Sequence, residues 1–246
     1  VGEGVQPVWS PDSQRIAFGK ERGLWIADLQ TNQTSPLVIG DQSNPALYVD
    51  YWMWSPDGQQ LAYKYSEPMS SKPEIWIINL AGPSPPSVVP NIPPDVYYSC
   101  FFWMPDGQSL VCIAQDERRA ESPLSLWTIA TDTGERRQVA RGFTFSTIQS
   151  SPNGRWLAFS ALRAYEGAAS DYDLWLVSAD GSQLLRITSG PPEELGVHWS
   201  PDGTRLVFHR EGLGVAILSL ETGQVTSPGV NLPHDSRDNY AVGGLR

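Results

Sequence analysis

Cysteine and histidine are scarce in this chain, two and three among 246 residues. His198, His209 and His234 show no zinc-ligand spacing, so no metal or other cofactor is expected. Long apolar runs are also missing. The longest, around Leu110 to Ala114, is far shorter than the roughly 20 residues a membrane helix needs, which excludes membrane insertion by a helix. Positive charge is in deficit: Lys and Arg number 17 against 27 acidic residues, a net charge of -10 with no basic run. That balance opposes a phosphate backbone and excludes nucleic acid as a partner. There is no Gly-x-Ser-x-Gly elbow, the strained turn that presents a hydrolase serine. No segment carries a helical period.

What is abundant is turn chemistry, with 22 glycines and 21 prolines, and it is periodic. A Ser-Pro-Asp-Gly tetrapeptide recurs as Ser10-Pro11-Asp12-Ser13, Ser55-Pro56-Asp57-Gly58, Met104-Pro105-Asp106-Gly107, Ser151-Pro152-Asn153-Gly154 and Ser200-Pro201-Asp202-Gly203. Its prolines are 45, 49, 47 and 49 residues apart. Four copies follow a tryptophan (Trp9, Trp54, Trp103, Trp199); the fourth copy has Ser150 in that slot. A second tryptophan comes later in four copies (Trp25, Trp76, Trp127, Trp175), with Ala216 in the fifth.

Each tetrapeptide matches a type I turn whose fourth residue enters the left-handed region, and it joins two apolar runs as a tight hairpin. The second tryptophan marks a third strand, and a weaker fourth strand follows it. Four short antiparallel strands per repeat predict an all-β fold, a β-propeller with five recognisable blades over about 4–39, 48–89, 97–140, 143–187 and 195–227. The slots project a sixth near position 247, and 239–246 reads as a further inner strand, so the expectation is five blades of a ring with six or more.

Trp-Ser-Pro-Asp-Gly, an apolar strand and then Leu-Trp-x-x-x-Leu resembles the TolB-type propeller repeat, found also in propeller domains of the prolyl oligopeptidase group. The resemblance runs over residues 5–227 and departs at Ser13, Met104, Ser150 and Ala216. It implies a binding propeller, extracytoplasmic as a rule and often fused to another domain. Periplasmic or extracellular placement rests on that resemblance; the composition suits the cytoplasm equally.

The repeated Asp12, Asp57, Asp106, Asn153 and Asp202 are expected to cap their own turns rather than ring a metal, because the amide of Asn153 keeps the cap and gives up the charge. The eight repeat tryptophans are expected in the core between blades, and a sugar-stacking role is the lesser alternative. Cys100 and Cys112 fall nearly opposite one another on the third repeat's hairpin. A disulfide and a pair of buried free thiols both fit, the thiols being favoured because strand pairing strains such a bond.

Loop length is uneven. The loops between second and third strands are long in repeats two to four (64–73, 115–123, 161–172) and short in repeats one and five. In a propeller these loops share one face, and such a face is where function resides. It collects acids, Asp173, Glu193 and Glu194 among them, so an acidic rim is expected. Tyr65, Arg118, Arg119, Tyr165 and Tyr172 are the expected contacts, since Tyr and Arg anchor most interfaces. The chain is therefore expected to be a non-catalytic scaffold for a protein or peptide partner. A carbohydrate-active site or lectin using inner aromatics and Asp50, and a regulatory propeller of a larger protein, are the alternatives, with a small molecule or sugar as ligand.

Overall fold

The computed structural model describes residues 5–39, 48–66, 74–82, 84–93, 96–116, 124–163 and 171–228. They form nineteen antiparallel strands and, among the described residues, no helix. The first repeat is β1 (Val5–Trp9), β2 (Arg15–Lys20), β3 (Gly23–Asp28) and β4 (Gln33–Val38), hydrogen-bonded in that order. The second is β5 (Tyr48–Trp54), β6 (Gln60–Ser66), β7 (Glu74–Asn79) and β8 (Ser87–Val88), and the fifth is β16 (Glu194–Trp199), β17 (Arg205–Arg210), β18 (Gly214–Ser219) and β19 (Val225–Thr226). Each of these makes its own four-stranded sheet.

Repeats three and four differ from the expected separate sheets. β9 (Val96–Trp103), β10 (Ser109–Asp116), β11 (Leu124–Ala130), β12 (Arg136–Ser150), β13 (Trp156–Arg163), β14 (Asp173–Ser178) and β15 (Leu184–Arg186) form one seven-stranded sheet. The cause is β12: the expected break after Ala140 is bridged by Arg141 and Gly142, the glycine taking a φ of 87°. One 15-residue strand thus closes the third repeat and opens the fourth. The chain divides within it into two compact units, 1–138 and 139–246.

The hairpin turns are built alike. In the first, the amide of Ser13 donates to the carbonyl of Ser10 at 2.9 Å, and the Ser10 hydroxyl donates to Asp12 while accepting from the amide of Arg15. The Asp12 carboxylate accepts the amide of Gln14 at 2.9 Å. Asp57, Asp106, Asn153 and Asp202 accept the amides of Gln59, Gln108, Arg155 and Thr204 at 2.9 to 3.0 Å. The fourth turn residue lies between φ 59° (Ser13) and 69° (Gly107, Gly203), a region open to glycine and costly for serine.

Packing follows the period-2 alternation of strands. In unit 1, Leu61, Tyr63 and Ile78 face Ala17 and Leu24 of the first repeat, whereas Ala62, Ile75 and Ile77 face Trp103 and Leu110 of the third. In unit 2, Ala158, Leu174 and Leu176 of repeat four meet Val197, Leu206 and Phe208 of repeat five. The motif tryptophan locks each of these interfaces. Trp54 Nε1–H donates to the carbonyl of Val8 at 3.1 Å, Trp103 to Met53 at 3.2 Å and Trp199 to Gln149 at 3.2 Å. In all three the acceptor is the residue just before the tryptophan slot of the preceding repeat. The indole thus buries its ring and satisfies its one polar atom together.

Two expectations are corrected. Trp9, in the same slot, is 57% exposed, because within unit 1 no described repeat packs on that side of repeat one. Cys100 and Cys112, directly paired across β9 and β10, are disulfide-bonded rather than free; an extra residue in β9, Phe101, brings them into register with a Cα–Cα separation of 3.8 Å.

Candidate functional site

The end of each repeat that carries the second-to-third-strand loop is where the sequence places function. In repeats one, two and five this end is shaped by a recurring fault in the inner strands. β1, β5 and β16 lose register between Val5 and Val8, Asp50 and Met53, and Leu195 and His198. The residue three before the tryptophan slot sits at positive φ each time: Gln6 at 52°, Tyr51 at 48° and Gly196 at 66°. Glycine accepts that conformation freely. For Gln6 and Tyr51 it costs on the order of 1 kcal/mol, which the surrounding sheet must supply.

Such bulges re-aim a side chain out of the sheet. Tyr51 is accordingly 59% exposed, and it borders a narrow cleft between the second and third repeats, lined also by Met53, Tyr63, Lys64, Tyr98 and Cys100. Tyr98 is held firmly: its hydroxyl accepts from Arg136 at 2.7 Å, and its ring meets Trp127 edge-on at 6.5 Å. Phe101, extruded by the neighbouring bulge, is 48% exposed. This end of unit 1 therefore offers exposed aromatic rings on a rigid, disulfide-stapled frame.

In unit 2 the same end holds a buried polar cluster. Asp173, at the start of β14, accepts from Arg186 Nε at 2.9 Å. Glu194, at the start of β16 and fully buried, accepts from the Thr188 hydroxyl at 2.8 Å and lies 3.2 Å from Arg210 Nε. Its backbone amide donates to the carbonyl of Tyr172 at 2.7 Å, and its carbonyl accepts from the hydroxyl of Ser160. Burial raises the Glu194 carboxyl above its ordinary value; Thr188 and Arg210 oppose that shift, and Asp173 adds to it. Burial likewise lowers His198, which stands in β16 opposite Val207.

The expected contact residues fare unequally. Tyr172 is half-buried and fixed through its backbone to Glu194. Tyr65 belongs to β6, paired with Glu74, but its side chain lies outside the described residues, as does that of Asp50. Arg118, Arg119 and Tyr165 lie outside them altogether. The acidic rim needs correction: Asp173 and Glu194 are not solvated but buried against Arg186 and Arg210. Sequence reading missed those arginines, because each sits a strand away from the acid it meets. Tyr51 was visible only as one of several inner-strand aromatics; nothing local announces its φ. No group of three or more His, Cys, Asp or Glu side chains suited to a metal occurs among the described residues.

No protein-family model matches the chain. A curated relative, an uncharacterized protein of Agrobacterium fabrum, is 27% identical over 204 residues, which span 82% of this chain and 64% of that protein. TolB from Acinetobacter baumannii superposes over 91% of this chain and 53% of its own, at 20% identity and a TM-score of 0.53. Dipeptidyl peptidase 4 from Porphyromonas gingivalis aligns over 92% of this chain and 39% of its own, at 14% identity and a TM-score of 0.70. The fold is that of the TolB-like propeller proteins. One fold is thus shared by a TolB and by part of a peptidase, and at these identities the likeness speaks of fold alone. What a TolB-like chain does has to be argued from its own strand ends.

Proposed function

We propose that this chain is a non-catalytic, propeller-type recognition scaffold: five blades of a ring, binding a protein or peptide at the loop-bearing end of the blades. The observation that carries the reading is Tyr51. An exposed aromatic held at positive φ beside a cleft is a side chain presented at a cost, and such strain gathers at binding sites. Tyr51 and Lys64 stand at the same end of blade two as Tyr65, one residue further along β6 and at the start of its long loop. Tyrosines beside a cation on a rigid sheet have the composition of an interface anchor. In this reading Tyr172, Arg118, Arg119 and Tyr165 extend the contact surface on the later loops.

The Cys100–Cys112 disulfide supports an extracytoplasmic location, since such bonds persist in oxidising compartments. Peptides selected from a display library against the intact chain test the reading. Tyr51→Ser is expected to weaken the selected peptides about tenfold or more, roughly 1.4 kcal/mol, with the melting temperature unchanged. Peptides that ignore Tyr51→Ser and instead respond to changes at the Asp57 or Asp106 turns would place recognition at the opposite end and refute it.

A further inference from the structure

The short loops between second and third strands, in repeats one and five, are built differently. In repeat five the turn after β17 meets its positive φ with glycine, Gly212 at 74° and Gly214 at 76°. In repeat one Lys20 pairs directly with Gly23, so a two-residue turn joins β2 to β3, and its residues are Glu21 at φ 53° and Arg22 at 63°. Positive φ at both positions is type I′ geometry, for which asparagine and glycine are the favoured residues. Glutamate and arginine hold it here against the steric preference of their own Cβ atoms.

The turn is fixed from outside. The carbonyl of Arg22 accepts the amide of Val49, in β5 of repeat two, at 3.1 Å. Tyr51, strained and exposed as well, follows two residues along β5, about 7 Å further by strand rise. β5 lies against repeat one on one side and β9 of repeat three on the other, so Tyr51 stands between the turn and the cleft it borders.

The charges around the turn are not equivalent. Lys20 lies 4.5 Å from the centre of the Trp25 ring and 3.5 Å from Glu21, so the Glu21 carboxylate is answered by its neighbour. Arg15 donates to the carbonyl of Gly58 and Arg136 to the hydroxyl of Tyr98, each at 2.7 Å. Arg22, by contrast, is exposed, and its guanidinium meets no hydrogen-bond or ion-pair partner among the described residues. A guanidinium offers a carboxylate two parallel N–H donors, a geometry that a lysine lacks.

We propose that Arg22 binds a carboxylate of the peptide held at Tyr51, so that the partner carries an acidic side chain or its own C-terminal carboxylate a few residues from the group that meets the tyrosine. This rests on the recognition reading above and names the chemistry its partner must have. The chain's net charge of -10 repels acidic ligands at long range, so a peptide that binds because of its acid reports a cation placed locally to receive it.

Peptides selected against the intact chain from a library displayed with free C-termini supply the probes. Each is resynthesised with one acid at a time turned into its amide, Asp to Asn, Glu to Gln or the terminal carboxylate to carboxamide, and titrated against the unaltered chain, Arg22→Gln and Tyr51→Ser. One of these amide changes is expected to weaken binding to the unaltered chain about tenfold or more and to have no effect on binding to Arg22→Gln. Which change does so, at a side chain or at the terminus, identifies the source of the carboxylate. Equal affinity of the two proteins for that amide peptide shows that the rest of the site is intact in Arg22→Gln. Peptides that depend on Tyr51, yet lose as much on amidation with Arg22→Gln as with the unaltered chain, overturn the inference and leave the recognition reading standing. An acid that couples to Arg22 in peptides indifferent to Tyr51→Ser keeps the carboxylate contact and overturns the reading built on Tyr51. Peptides indifferent to both substitutions overturn both.

Discussion

Four tryptophans occupy one slot of the repeat, yet truncating them should cost very different amounts. Trp54 and Trp103 are 8% and 5% exposed, and each donates its indole N–H across a repeat interface. Replacing either with alanine removes a buried double ring and leaves a backbone carbonyl facing a cavity, a loss of about 3 to 5 kcal/mol. Of that, the hydrogen bond accounts for about 1, so Trp54→Phe, which keeps most of the ring and loses the N–H, should cost about 1 to 2. Trp9 fills the same slot at 57% exposure without that bond, and Trp9→Ala should cost about 1 kcal/mol or less. Urea titrations followed by far-ultraviolet circular dichroism read these as midpoint shifts at constant slope. The expected order is Trp54→Ala and Trp103→Ala largest, Trp54→Phe intermediate and Trp9→Ala smallest. A Trp9→Ala loss equal to that of Trp54→Ala would refute the argument that burial by the preceding repeat sets the value of this residue.

Ser13 holds at φ 59° a turn position that is glycine in the other four repeats, so Ser13→Gly should raise stability by about 0.5 to 1 kcal/mol in the same titration. The reverse change, Gly58→Ser, should lower it by a similar amount through backbone strain alone, because an added Cβ would meet only ordinary contacts at 3.5 Å. Acid melts should separate two classes of carboxylate. Asp12, Asp57 and Asp202 are held below their usual value first by a serine hydroxyl, Asp202 to about 2, so their stabilisation is present above the usual carboxylate value and is lost as pH falls through the lowered one, for Asp202 about 2. Glu194 has the opposite sign: its raised value means that stability is gained as pH falls through that value towards 4.5. Glu194→Gln should flatten the profile above pH 4.5 and leave the lower limb in place; an unchanged upper limb would show that Glu194 is not the group responsible.

Local chemistry carried much of the architecture. The Ser-Pro-Asp-Gly turns recur because a hydroxyl, a fixed φ, a short carboxylate and a residue tolerant of positive φ close a hairpin from four neighbouring positions. Their spacing then dictated how many strands the chain could make. Alternation along each strand separated the two faces, since the side-chain period of a strand is 2 whatever lies beyond it.

What the sequence could not decide is whatever depends on which neighbour arrives. Asp173 and Glu194 read as solvated rim charges until Arg186 and Arg210 were seen to come in from adjacent strands and bury them. The disulfide turned on the extra residue Phe101, a shift of one position that no composition reveals. Tyr51 owes its exposure to a bulge set by the pairing of β5 with β6, not by its own propensity. Trp9 differs from Trp54 in nothing its local sequence expresses. One is exposed and the other buried because burial belongs to the pair of surfaces that meet, and only tertiary structure says whether a second surface is there.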